Sequence, residues 1–292
     1  MKRRLLLIVV ALVALVCCVG AYFKWCAMRA EGRRMSAREA MYRDMGIFAP
    51  GSEEFVALPP ETPHRAGAAV LGSMLFADKR LVKSSKRMCA ACHPPSAGGA
   101  DNKVHGRFLT RSSQNAAFAL CYLHDGSLRS LKDVVEYMIS SPDYGAYSTT
   151  GAVARLLRDQ ALASRFVANY ETGLVGSNVV DSIVQHLRAR ITSTGAFDRY
   201  LSGKTDAFDA VQERGFAVFK TSSCASCHDG PTLGGRKVSE GRKVPALRGL
   251  AKRRLFLTDG SAADVSTALF RMPTAELSDE DRSALVAFLK SL

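Results

Sequence analysis

Cys89-Ala90-Ala91-Cys92-His93 and Cys224-Ala225-Ser226-Cys227-His228 are the two stretches that decide the reading of this chain. Each is C-x-x-C-H, the attachment sequence of a c-type haem. The spacing lets both thiols form thioethers with the two vinyl groups of one porphyrin, while the adjacent His offers an axial nitrogen to the iron. A structural zinc site would want four closed ligands, and a redox C-x-x-C needs no His and sits in a βαβ context. Two copies therefore point to two covalently bound c-type haems, held by Cys89, Cys92 and His93 and by Cys224, Cys227 and His228.

The surroundings of the two motifs, 135 residues apart, also match. Gly72-x-x-x-Phe76 precedes the first in an apolar helical stretch, and Gly215-x-x-x-Phe219 precedes the second. A glycine at that place lets one helix pack closely on a later one. After the motifs come Tyr122 to Met138 and Phe256 to Met272, each with Asp-Gly-Ser near its start and a Met thirteen residues after the Asp. An internal duplication explains this correspondence. The chain closes with LSDEDRSALVAFLKSL, in which Ser278 and Asp281 make a capping box and Leu285, Phe288, Leu289 and Leu292 one apolar stripe. Residues 152–192 read as two helices broken by ETGLVGSN, and strand-like alternation is scarce. The expected fold is all-α: two tandem cytochrome c-like haem domains with long loops, at 64–175 and 176–292, behind a linker at 31–63.

The chain has 292 residues, a net charge of +13 and 47% hydrophobic residues. Its mean hydropathy is zero, and the apolar content is concentrated at the start. Leu5 to Phe23 form nineteen uncharged residues between a basic MKRR start and Lys24, long enough to cross a bilayer. Residues 1–30 are accordingly read as a retained transmembrane anchor, with a cleaved signal peptide as the alternative. Either places the body across the membrane, in the periplasm or exported. A lipoprotein site at Cys17 or Cys18 is disfavoured, because Val16 and Cys17 precede them instead of a small residue. Residues 1–30 carry five basic and no acidic residues, which leaves +8 on the body. That charge suits an acidic redox partner. Nucleic-acid binding is the wrong reading, since the Lys and Arg are dispersed. Cys121 is left over as a small buried hydrophobe.

Over residues 65–292 the chain resembles the bacterial dihaem cytochrome c peroxidases and their relative MauG. The likeness rests on LGSMLFADKRL, CAACHPPSAGGADN, RSSQNAAF, HDGS, FDRYLSGK, RGFAVFKTSSCASCHDGP, KVPALRGL and the closing helix, all in the family's order. It implies that the carboxy-terminal haem accepts electrons singly from a small donor (a cytochrome c, a cupredoxin or the quinol chain). It also implies that the amino-terminal haem reduces hydrogen peroxide to water, and it allows a homodimer. Met272 falls where the family's sixth ligand of the second iron falls, and a thioether there raises the potential. His105, in a shortened loop after Gly98, Gly99, Asp101 and Asn102, matches the His that blocks the first iron until the other haem is reduced. Arg111 matches an Arg placed to meet a haem propionate or a developing peroxide anion.

Departures from the family pattern are equally definite. The Trp that lies between the haems is His124 here, leaving direct tunnelling or Tyr122; the only Trp is Trp25. The distal acid and amide have no match, with Glu136 and Asp143 the acids at hand. Ser112 and Arg253-Arg254-Leu255 oppose the interdomain calcium that the resemblance implies. The readings carried forward are a peroxidase, a membrane-tethered electron carrier without catalysis, and a MauG-like oxidase of a protein side chain.

Overall fold

The computed structural model describes residues 55–82, 88–142, 148–272 and 277–292. They belong to the second of two units of the chain, Glu53–Leu292. The anchor expected over residues 1–30, the first part of the linker and Asp143 lie outside the described residues. None of the described helices is long and apolar enough to cross a membrane.

The first half contains α1 (Ala66–Phe76), the one-turn α2 (Cys89–Cys92), strands β1 (Val104–His105) and β2 (Phe108–Leu109), α3 (Leu131–Ser140), α4 (Thr149–Leu156), α5 (Gln160–Val167) and α6 (Gly176–Ala189). The second contains α7 (Ala196–Leu201), α8 (Ala210–Thr221), the one-turn α9 (Cys224–Cys227), strands β3 (Val238–Ser239) and β4 (Arg242–Lys243), α10 (Val265–Leu269) and α11 (Asp279–Lys290). The fold is mostly helical, and each half carries one antiparallel hairpin of two-residue strands that period-2 reading is too coarse to register. Between residues 149 and 189 there are three helices where two were expected, because Asp159 caps α5 through Leu162 N–H and so ends the preceding turn. The capping box expected at Ser278 is half made: Ser278 Oγ accepts from Asp281 N–H at 3.1 Å, but the Asp281 carboxylate faces Ser278 Oγ and Arg214 instead of closing the box. A complete box stands at the head of α8, between Asp209 and Gln212.

Each half is organised by a crossing that glycine permits. A methyl group at Gly72 would overlap the Ser182 carbonyl of α6, and one at Gly215 would overlap the Ala284 carbonyl of α11. Thus α1 packs on α6 and α8 on α11, backbone against backbone. The expected boundary at 175/176 falls just before α6. The core of the first half runs from Leu71 to Leu187 and takes in α6, while that of the second begins at Phe197. The physical reason is that α1 needs a later helix to cover its apolar face, as α8 needs α11.

The described end of the linker is docked onto the body. Phe55 packs edge-on against Phe216 and Phe219, and Asp198 accepts from Leu58 N–H at 2.7 Å. Asp198 is itself paired with Arg248 at 2.6 Å, both side chains 4% exposed. Gly72→Ala and Gly215→Ala should each cost about 1–3 kcal/mol by overpacking, read as a fall in thermal stability. Gly106→Ala, where no atom lies within 4 Å of an added methyl, should cost less than either.

Candidate haem centres

In the first half the Cys-Ala-Ala-Cys turn ends on His93, whose N–H donates to Cys89 O at 2.8 Å. Gly98 and Gly99 take positive φ (70° and 77°), which turns the chain back so that Gly99 O accepts from His93 Nδ1 at 3.0 Å. That bond fixes the proton on Nδ1 and leaves Nε2 bare, the tautomer an iron ligand needs. The second half repeats the device: His228 N–H donates to Cys224 O at 2.9 Å and Nδ1 to Leu233 O at 3.2 Å. Desolvation pushes both imidazoles below their ordinary pKa and holds them neutral. It also pushes the Cys89 thiol up to about 11.

His228 and Cys224 open into a cavity of about 800 Å³, counted to its mouth, whose other walls are mostly apolar and include Met272 and Leu289. Met138, the corresponding Met of the first half, sits half-buried on α3. The cavity suits a porphyrin: a bare imidazole nitrogen, a Cys at the edge, an apolar wall, and the guanidinium groups of Arg111 and Arg253. Zinc suits neither motif. Among the described residues the grouping closest to a zinc set, Cys92, Asp101 and His105, offers three ligands and draws one from the C-x-x-C-H itself.

The halves meet by exchange. Leu109 N–H of the first hairpin donates to Thr258 O, and Lys243 N–H of the second hairpin donates to His124 O, each at 2.8 Å. Gly126 and Gly260, in the two Asp-Gly-Ser turns, leave room for Val238 and Val104 of the opposite hairpin. At this junction His124 stacks on Phe108 with ring centroids 4.1 Å apart, its Nδ1 buried without a partner. Burial first, and then the Arg111 and Lys243 charges, push His124 down to about 4. Burial lowers Lys243 to about 8, with its ammonium 5.3 Å from the centre of the Tyr122 ring. Tyr122 is buried and donates to Ala116 O at 2.9 Å.

Residues 66–206 match the family model described as di-haem cytochrome c peroxidase, and residues 212–292 match that of cytochrome c. The chain thus carries a di-haem cytochrome c peroxidase/MauG domain followed by a cytochrome c domain. It binds two c-type haems and is an oxidoreductase, as its family relatives are. It is 29% identical over 278 residues to the cytochrome c peroxidase Ccp of Escherichia coli, covering 80% of this chain but 60% of that one. Against the cytochrome c551 peroxidase of Nitrosomonas europaea it is 28% identical, with 87% of each chain covered. A solved MauG-like protein associated with microbial copper homeostasis shares the fold at a TM-score of 0.68 and 17% identity, over 83% of this chain and 94% of its own.

Within this chain, the residues expected from the resemblance are placed unequally. Met272 lines the second pocket with His228. His105 sits on the first hairpin with its side chain 52% exposed; its Nε2 lies 2.8 Å from Asp101 Oδ2 and 3.9 Å from Cys92 Sγ. Partial burial would raise the Asp101 carboxyl, but the bonds from His105, Thr110 and Lys103 N–H hold it below the usual range. Arg111 lines the second pocket, and its guanidinium donates through Nη2 to Lys243 O and Thr258 Oγ1. Glu136 is half-buried on α3 and joins none of the ion pairs among the described residues. Where calcium was weighed, Asn102 bridges the halves directly, donating to Lys252 O at 3.4 Å and accepting from Arg254 N–H at 3.1 Å.

Sequence reading missed the polar wall of the first site. His186 lies 5.1 Å from Phe76, and Arg190 lies over the same ring. Their counterparts against α8 are Phe288 and Leu292, so setting the two halves in register would have exposed the difference. Burial, and then Arg190, push His186 to about 4. Both His124 and His186 thus have folded-state pKa values below the ordinary 6.5. The stability they allow is fully present above pH 6.5 and is lost as pH falls towards about 4, because protonation then favours the unfolded chain. Melting temperature should drop across that window, and His124→Phe and His186→Phe should each flatten the drop.

Proposed function

We propose that the protein reduces hydrogen peroxide to water (H2O2 + 2 e⁻ + 2 H⁺ → 2 H2O), with electrons entering singly at the second haem and passing to the first. The observation that carries this reading is the exchanged junction, which seats one hairpin of each half on the Asp-Gly-Ser turn of the other and brings two unlike haem sites together. The names of the relatives from Escherichia coli and Nitrosomonas europaea support it. In this reading Cys89 and Cys92 anchor the first haem and Cys224 and Cys227 the second. His93 and His228, each oriented by its Nδ1 bond to a backbone carbonyl, would hold the two irons, with Met272 the further donor at the second site. When bound, the haems supply iron that changes oxidation state one electron at a time.

The two sites are tuned by what surrounds them. Met272 and an apolar wall favour a high potential at the second site, fitting it to accept electrons from a donor. His105, engaged by Asp101, would leave room for peroxide at the first site. His124 replaces the aromatic conduit of the family with an imidazole stacked on Phe108, and Tyr122, held by backbone acceptors, is the oxidisable side chain two residues away along the chain. The donor is a small acidic redox protein drawn by the basic body. The body works outside the cytoplasm, where covalent haem attachment occurs.

Peroxide-dependent oxidation of a reduced small cytochrome c tests the reading. Wild type should turn over, and His93→Ala should abolish turnover while the second haem still reduces. Two six-coordinate haems inert to peroxide would sink the proposal in favour of an electron carrier. Oxidation of a partner protein with no turnover of the small cytochrome would favour the MauG-like reading. If His105 is not a standing ligand, His105→Ala should leave the spectrum of the oxidised protein unchanged, whereas Met272→Ala should alter that of the second haem and lower its potential.

A further inference from the structure

Arg111 and Arg253 both line the cavity at His228, and no Asp or Glu among the described residues does. Arg111 reaches it from the first half, two residues beyond the end of the first hairpin, and Arg253 from the second half, just after the 3-10 turn Leu250–Lys252. Arg111 donates through Nη2 to Lys243 O at 3.2 Å and Thr258 Oγ1 at 3.4 Å, but its Nε is buried without a partner. Neither Arg is paired with an Asp or Glu among the described residues. Burial weakens the proton affinity of both, and the charge of Arg253 adds to the effect on Arg111. Two like charges facing one apolar cavity are costly unless an anion meets them there.

A c-type haem brings two propionates, one carboxylate for each guanidinium. We propose that Arg111 and Arg253 are the counter-ions of the two propionates of the second haem, so that this haem ties the first half, which supplies Arg111, to the second, which supplies Arg253. Arg111 is well placed to carry such a tie, because its own carbonyl lies beside the His93 ring of the first site. One residue therefore touches both haem environments, through its backbone at one and its side chain at the other. The inference needs a haem in the second pocket and is independent of whether peroxide is the substrate.

The test is an optical redox titration of the full chain with both haems attached, repeated from pH 6 to 8. A cation beside a haem favours the reduced, less positive state. Arg111→Gln and Arg253→Gln should therefore lower the same one of the two midpoints, and the freed propionate should make that midpoint depend on pH more steeply than in wild type. Arg111→Lys, which keeps the charge, should restore most of the shift, and Arg242→Gln at an exposed position should move neither midpoint. Wild-type midpoints and pH dependence in both Gln variants would overturn the pairing. Should Arg111→Gln fail to attach its second haem, Arg253→Gln decides by the same reading: a lowered midpoint supports the proposal and an unmoved one overturns it.

Discussion

The two crossed backbone bonds, Leu109 N–H to Thr258 O and Lys243 N–H to His124 O, are the constraint on which the arrangement of this protein depends. Each ties a hairpin of one half to the Asp-Gly-Ser turn of the other. The donors and acceptors are backbone groups of buried or half-buried residues, so breaking either bond would forfeit a main-chain pairing at the junction. The consequence is positional. His93 and His228 are themselves held by Nδ1 bonds to the Gly99 and Leu233 carbonyls, so the placement of the two haem motifs rests on hydrogen-bonded main chain as well as on side-chain packing.

Duplication gives both halves the same frame, and the differences between them lie in the lining. Where α11 presents Phe288, fully buried, α6 presents His186; where the second chain end offers Leu292, the first offers Arg190. The second pocket is apolar apart from His228 and its two Arg side chains, and Met272 stands at it; the first is bordered by titratable groups. A buried apolar site and a polar one favour different oxidation states of the same iron. The difference between the two sites is thus written into wall residues, with the C-x-x-C-H motifs themselves nearly identical.

The motifs, the glycine-marked helices and the repeated Asp-Gly-Ser turns were legible in the sequence because each is local: a fixed spacing, a missing side chain, a short string. The partner of α1 was not, since only the Ser182 carbonyl approaching Gly72 shows that α6 completes the first core. The hairpins escaped because two-residue strands carry no periodicity and their binding to the opposite half is made by backbone atoms, which every sequence possesses. His105 matched by order along the chain, yet the fold sets it against Asp101 and Cys92. Arg253 was read as a charge that would repel calcium; its facing the same cavity as Arg111 depends on tertiary placement that spacing cannot convey.

The connection between the halves is also held. Asn115, at a positive φ of 57°, donates its N–H to Arg190 O, and its side-chain amide both accepts from Thr192 N–H and donates to Thr192 Oγ1 at 2.7 Å. The clasp grips the chain just where it leaves α6 for α7, leaving only a few residues of link. Under the proposed function, two haem modules that would otherwise have to find each other by diffusion are thereby kept at a high, fixed effective concentration. Transfer between them would then be a first-order event, indifferent to dilution of the protein, with only the arrival of an outside donor and of substrate depending on concentration.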